Sequence, residues 1–226
     1  MTNQNKVYFG IWDEKILVNL VLFLLLFFII FVVPLLPIGA HKPLFNLSIT
    51  AILFISVLAM DKARKTLFVI AVAGITLSLL AALLRMEILE PVATLINSLF
   101  FIFIVISLIV QIARTKRATV RIILESINGY LLLGFVFSLI VTISMFFRPD
   151  AFSFSHEVPE AAATVSHFGD YLYYSFVNYT TLGYGDILPL VPFAKSLAIL
   201  MSVSGQMYVA VIIAMLVGKY VGAASD

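Results

Sequence analysis

The sequence predicts an all-α integral membrane protein with six transmembrane helices and, between the fifth and sixth, a shorter re-entrant helix that enters the membrane and stops. Three observations predict it. Of 226 residues, 62% are hydrophobic and 12% charged, against about 45–50% and about 25% in an ordinary soluble domain; the mean hydropathy is +1.13. Charge-free apolar runs long enough to cross about 30 Å of hydrocarbon at about 1.5 Å per residue occur six times. The connection between the last two runs is long, aromatic and glycine-rich, unlike the other five. So few charges cannot cover an oily interior of this size in water. The solvent for most of the chain is lipid.

The runs cover residues 16–33, 44–60, 66–84, 91–113, 126–147 and 196–218. The first follows Lys6 and Lys15, as a secretory signal would, but it is longer than a signal's apolar region and lacks a small-x-small cleavage site. A retained helix is expected. Residues 1–14 then form an N-terminal segment, 15–113 a four-helix bundle, 114–125 an amphipathic linker on the inner interface, 126–218 the last two spans with their loop, and 219–226 a short tail. With so short a tail, no cytoplasmic nucleotide-binding or ion-sensing domain is expected in this chain.

Basic residues in the connections set orientation. One side collects Lys6, Lys15, Lys62, Arg64, Lys65, Arg114, Lys116, Arg117, Arg121 and Lys219, while the other holds Lys42, Arg85, Arg148 and Lys195. That imbalance puts both termini in the cytoplasm of a chain crossing the inner or plasma membrane. The same partition sends Glu87, Glu90, Asp150, Glu157, Glu160, Asp170 and Asp186 outward, where an acidic face concentrates cations. The net charge of +2 is too small for a nucleic-acid footprint. With no cysteine, disulfide scaffolds, thiolate metal sites and cysteine nucleophiles fall together. His41, His156 and His167 fit no metal-ligand spacing, and Glu87 and Glu90 read as loop charges. No enzyme chemistry, cofactor or small-molecule substrate is expected.

The long connection begins polar, with Pro149 and Pro159, and turns aromatic from Phe168. Residues 170–180 read as a helix, capped in front by Gly169 and Asp170 and stopped by glycines behind, and too short to span. Thr181-Leu182-Gly183-Tyr184-Gly185-Asp186 follows. Irregular backbone at membrane depth is tolerated only where protein buries it or water lines it. Glycine at alternate positions permits positive φ at Gly183 and Gly185, which lets the carbonyls of Thr181, Leu182, Gly183 and Tyr184 face one side. A stack of carbonyl oxygens is a dehydrating ladder for a cation.

In this string the chain resembles the potassium-channel family, whose selectivity filter is TVGYG, flanked by a pore helix and followed by Asp. The likeness covers roughly residues 123–222 and extends to prokaryotic members with a degenerate voltage-sensor-like domain. It implies K+ bound at the carbonyls of Thr181, Leu182, Gly183, Tyr184 and Gly185, with the Thr181 hydroxyl at the inner end. It further implies that Tyr173 hydrogen-bonds Asp186, that Tyr174 braces Tyr184, and that the pore helix aims its negative end, near Thr180, at the axis. One departure is Leu182 for the family's valine, which keeps a carbonyl and alters packing behind it. A second is Val177, where some members place a glutamate partner for the aspartate. One strand cannot surround an ion, so geometry and family both imply a homotetramer in lipid.

In the last run, Gly205 lies nineteen residues after Asp186. Its place resembles the inner-helix glycine hinge of two-span bacterial members; a glycine in a membrane helix is equally a close-packing contact. Val209, Ile213 and Val217 fall near one helical face, either lining a cavity and gating by dewetting or packing on lipid and neighbours. A voltage sensor needs several charges that cross the field, and residues 91–113 contain none. Arg114, Arg117 and Arg121 lie beyond that run, as cytoplasmic anchors. The expected function is passive, K+-selective conduction without conventional voltage gating. The rivals are a weakly selective cation channel and a transporter or noncatalytic membrane partner of the same fold.

Overall fold

The computed structural model describes residues 14–60, 68–76, 80, 89–115, 119–154 and 168–224. Helix α1 runs Glu14–Phe27, widens into a π-helical turn at Phe28–Val32 and tightens into a 3-10 turn at Val33–Leu35. Pro34 is the physical cause: it has no N–H for the helical ladder, so the last bond before it slips one residue further, from the Val33 N–H to Phe28 O. Helix α2 is Ile38–Ala59, α3 Leu89–Arg114, α4 Val120–Phe147, α5 Phe168–Tyr179 and α6 Pro192–Ala224, and residues 68–76 are helical.

Among the described residues, four stretches are long and apolar enough to cross a membrane: Glu14–Leu35, Pro91–Arg114, Val120–Phe147 and Pro192–Val221. They correspond to the first, fourth, fifth and sixth apolar runs. The second lies inside α2, which begins at Ile38 rather than 44. Most of the third, 66–84, falls outside the described residues, as do Glu87, His156, Glu157, Glu160 and His167.

What distinguishes inside from outside here is a stripe of burial rather than of polarity. On α3, Phe101, Ile104, Val105, Leu108 and Ile112 are buried at helical spacing, while Leu95, Leu99, Phe103, Ile106 and Val110 are exposed and equally apolar. Both faces being oily is what a helix between protein and lipid requires. The hub is α4, which packs against α1, α3, α5 and α6.

Several polar groups inside this packing are paired across helices. Asn128 Nδ2 on α4 donates to Asn19 O (2.8 Å) and approaches Asn19 Oδ1 (3.3 Å) on α1, both residues fully buried. Lys15 Nζ donates to the carbonyls of Leu58 and Met60, each at 3.0 Å, capping the end of α2. Glu125 Oε1 accepts from Arg121 Nε and from Gln111 Nε2 of α3, each at 2.7 Å. Lys219 Nζ, near the end of α6, donates to Ile112 O in the last turn of α3. These ties join the start of α1 and α4 to the ends of α2, α3 and α6, so five elements meet at one end of the bundle.

The linker expected at 114–125 is shorter than that. Thr119 caps α4, its hydroxyl accepting from the Ile122 N–H (3.4 Å), and Val120–Glu125 are already its first turns. The helix begins before the charge-free run because Glu125 is buried and neutralised by Arg121 one turn earlier. Of the basic row after α3, Arg121 is engaged in this ion pair, Arg114 is exposed in the last turn of α3, and Arg117 lies outside the described residues.

At the opposite end the chain leaves α4 and forms β1, Phe152–Ser153, which pairs antiparallel with β2, Leu188–Pro189. The register sets Phe152 against Pro189 and Ser153 against Leu188; Ser153 Oγ accepts from the Leu188 N–H at 3.0 Å, and the Leu190 N–H reaches Ala151 O at 2.9 Å. The pairing closes the base of the excursion that holds α5 and residues 181–186.

Candidate functional site

Helix α5 carries Asp170 in its first turn, where an acid complements the helix dipole. It buries Phe168, Tyr171, Leu172, Ser175 and Tyr179 on one face. Behind its C-terminal end the Tyr179 ring lies 4.7 Å from Tyr130 and 5.8 Å from Phe137, both on α4. Tyr208 of α6 completes the cluster, 5.7 Å from Tyr130, and its hydroxyl donates to Ser126 O at 2.9 Å. The C-terminal end of α5 is thus wedged between α4 and α6.

The helix ends in a Schellman turn. The Leu182 N–H reaches Val177 O (2.9 Å) and the Thr181 N–H reaches Asn178 O (2.9 Å), the two bonds that define the motif and satisfy carbonyls left over at a helix end. That motif asks for a left-handed residue at the position held by Thr181, normally glycine, and Thr181 has φ 63°. A β-branched residue there is an outlier that costs about 1–2 kcal/mol.

From Thr181 the sign of φ alternates. It is positive at Thr181 (63°), Gly183 (58°) and Gly185 (76°), and not at Leu182 or Tyr184. The Gly183 N–H joins that of Leu182 on the Val177 carbonyl, at 3.1 Å. In a trans peptide the carbonyl points opposite to the N–H that follows it. Two successive N–H groups aimed back at α5 therefore turn the carbonyls of Thr181 and Leu182 away from it, on the same side. Adding a Cβ at Gly183 or Gly185 meets no neighbour within 4 Å, so the need for glycine there is conformational rather than spatial.

The whole stretch 180–186 is exposed on the single chain, Leu182 at 57% and Tyr184 at 66%. Tyr173 Oη donates to Asp186 Oδ2 at 2.5 Å, and Asp186 Oδ1 accepts from the Ile187 N–H at 3.1 Å. The phenol hydrogen bond holds the Asp186 carboxyl below the usual aspartate range, and the same bond, aided by burial and the carboxylate charge, pushes the Tyr173 phenol up to about 12.

One expected contact is different within the chain. The ring stacked on Tyr184 is Tyr173, with centroids 6.5 Å apart and 9° between planes. Tyr174 turns inward, 5.0 Å from Phe152 and 6.5 Å from Phe154. Successive residues on a helix point about 100° apart, so within one chain Tyr173 faces the segment while Tyr174 faces Phe152 and Phe154.

Helix α6 clasps the end of α5 through three neighbouring positions. Ser202 Oγ donates to Asn178 O at 3.0 Å, Gln206 Nε2 donates to Thr181 Oγ1 at 3.1 Å, and Gly205 between them lies against the Tyr179 carbonyl. A Cβ at Gly205 would sit 1.9 Å from that oxygen, so Gly205 makes a close-packing contact. Val209, Ile213 and Val217 are exposed further along α6. Sequence reasoning passed over Ser202 and Gln206. The available signal was a long primary amide inside an apolar span, which in a membrane needs a partner.

Among the described residues no cluster of acidic or histidine side chains could hold a metal ion. What the segment offers a ligand is backbone carbonyl, one hydroxyl and the negative end of α5, all suited to a cation. A family model described as "Ion channel" matches residues 130–221, which takes in most of α4, all of α5, residues 181–186 and α6 as far as Val221. No curated protein and no solved structure matches the chain. The segment that carries the site is therefore similar to ion-channel domains, and passive ion movement is the activity this likeness suggests.

Proposed function

We propose that the chain is the subunit of a K+-selective channel, a homotetramer in the inner or plasma membrane with six spans per copy and both termini cytoplasmic. The observation that carries the reading is the backbone of residues 181–185. Alternating φ signs, with two N–H groups gathered on Val177 O, are what a ladder of carbonyls facing one axis needs. Four such strands, with Thr181 at the inner end, would replace the hydration shell of K+ at the carbonyls of Thr181 to Gly185. Leu182 and Tyr184 are then covered by neighbouring copies, which accounts for large apolar groups left open on one chain.

In this reading Tyr173 and Asp186 strut the outer end, Thr180 closes the pore helix at the inner end, and Val209, Ile213 and Val217 line the path below. The described part of α3 carries no charge between Pro91 and Ala113, so conduction responds weakly to voltage. The test is the reversal potential of purified protein in liposomes under opposed K+ and Na+ gradients. A shift that follows K+ alone supports the proposal. A reversal potential indifferent to which ion is replaced favours the weakly selective channel, and saturable flux coupled to a second ion, or no flux, favours the transporter or partner reading.

A further inference from the structure

Gln206 is a long amide on α6, flanked by Gly205 and Met207 in a largely apolar helix. Polar side chains in a span are costly and mark pathways or packing contacts. Gln206 points its Nε2 at Thr181 Oγ1, 3.1 Å away, and both residues are exposed on the chain. Thr181 is also where the turn asks for glycine and holds a β-branched residue at φ 63°. Such strain persists only where the surroundings over-determine it. Here the Thr181 N–H is held by Asn178 O, the next N–H by Val177 O, and the hydroxyl by Gln206.

We infer that Gln206 is a positioning residue for the innermost cation site: its amide fixes the Thr181 hydroxyl so that a free lone pair faces a dehydrated monovalent cation. The inference rests on the reading of residues 181–185 as a cation-binding stretch. A hydroxyl has one proton and two lone pairs. With the amide N–H on one lone pair, the proton is turned away from Gln206 and the second lone pair remains as an acceptor of fixed direction. Glycine would relieve the strain of the turn but supply no oxygen. A threonine held by an amide supplies the oxygen and keeps it still.

The test uses Ba2+, a divalent cation close to K+ in radius, as a blocker applied from the cytoplasmic side of the chain in planar bilayers. Wild type is compared with Gln206→Leu, Gln206→Asn, Thr181→Ala and the double variant Q206L/T181A, each checked for wild-type elution on size exclusion. Loss of one ordering hydrogen bond weakens block about threefold to tenfold in Gln206→Leu. Gln206→Asn, one methylene too short to keep the contact, shifts it the same way. In the Thr181→Ala background Gln206→Leu adds nothing, because the oxygen it positions is gone. Unchanged block in a conducting Gln206→Leu chain, or a loss undiminished in Thr181→Ala, overturns the role of Gln206 and leaves the cation-binding reading standing. A wild-type chain that carries no cation current overturns both.

Discussion

Replacing Gly205 by alanine separates two accounts of this residue by the sign of the effect. As a free hinge, Gly205→Ala gains helix propensity and stabilises the folded chain by up to about 1 kcal/mol. As a packing contact it does the reverse. The added Cβ falls 1.9 Å from the Tyr179 carbonyl oxygen and 3.0 Å from its carbon; reaching 3.0 Å from the oxygen requires α5 and α6 to part by about 1.1 Å. Overpacking of this kind costs about 1–3 kcal/mol. The same displacement stretches the Ser202–Asn178 and Gln206–Thr181 hydrogen bonds, now 3.0 and 3.1 Å, past useful length, at about 0.5–1.5 kcal/mol each. After the propensity gain, a net loss of about 1–5 kcal/mol is expected. The assay is the thermal midpoint of the detergent-solubilised protein, followed by size exclusion after heating. A midpoint equal to or above wild type would refute the packing argument.

Three further outcomes follow from the other contacts. The Tyr173–Asp186 link holds from below the usual aspartate range up to about 12: the lowered carboxyl loses its contribution as pH falls through its folded value, and the raised phenol loses its own as pH rises through about 12. Tyr173→Phe therefore moves the acid-side titration of Asp186 upward, as read from its carboxyl carbon by NMR. Glu125→Ala removes the buried acceptor shared by the Arg121 guanidinium and the Gln111 amide, at about 1.5–3 kcal/mol, whereas Glu125→Gln retains an acceptor and loses less in the same melt. Asn128→Leu removes the tie to Asn19 at little change in volume and costs about 0.6–2 kcal/mol, measured as earlier release of α1 to protease in detergent.

The spans and the bend in the chain were legible because they depend on local composition. Apolar length alone locates the four long helices, and glycine at 183 and 185 announces positive φ, since few other residues accept it. Thr181 gives no such notice. Its backbone is set by the Schellman turn and the clasp from α6, and a β-branched residue argues locally for the opposite conformation. Glu125 misleads in the same way, reading as the solvated edge of a span until Arg121 and Gln111 are seen to enclose it. The inward turn of Tyr174 follows from helical phase against Phe152 and Phe154, residues some twenty positions earlier. Asn19 and Asn128 stand 109 positions apart, beyond any local pattern.

The short pairing of β1 with β2 sets a division of labour between length and register. Its bonds include those of the Ser153 hydroxyl and the Leu190–Ala151 backbone pair, so it asks little of side-chain identity beyond Ser153. Because it fastens the points where the chain departs from α4 and returns to α6, the distance between those points does not depend on how many residues lie between Phe154 and Phe168. Changing the number of residues in that stretch is expected to leave the anchoring of residues 181–186 at the β1–β2 pairing unaltered.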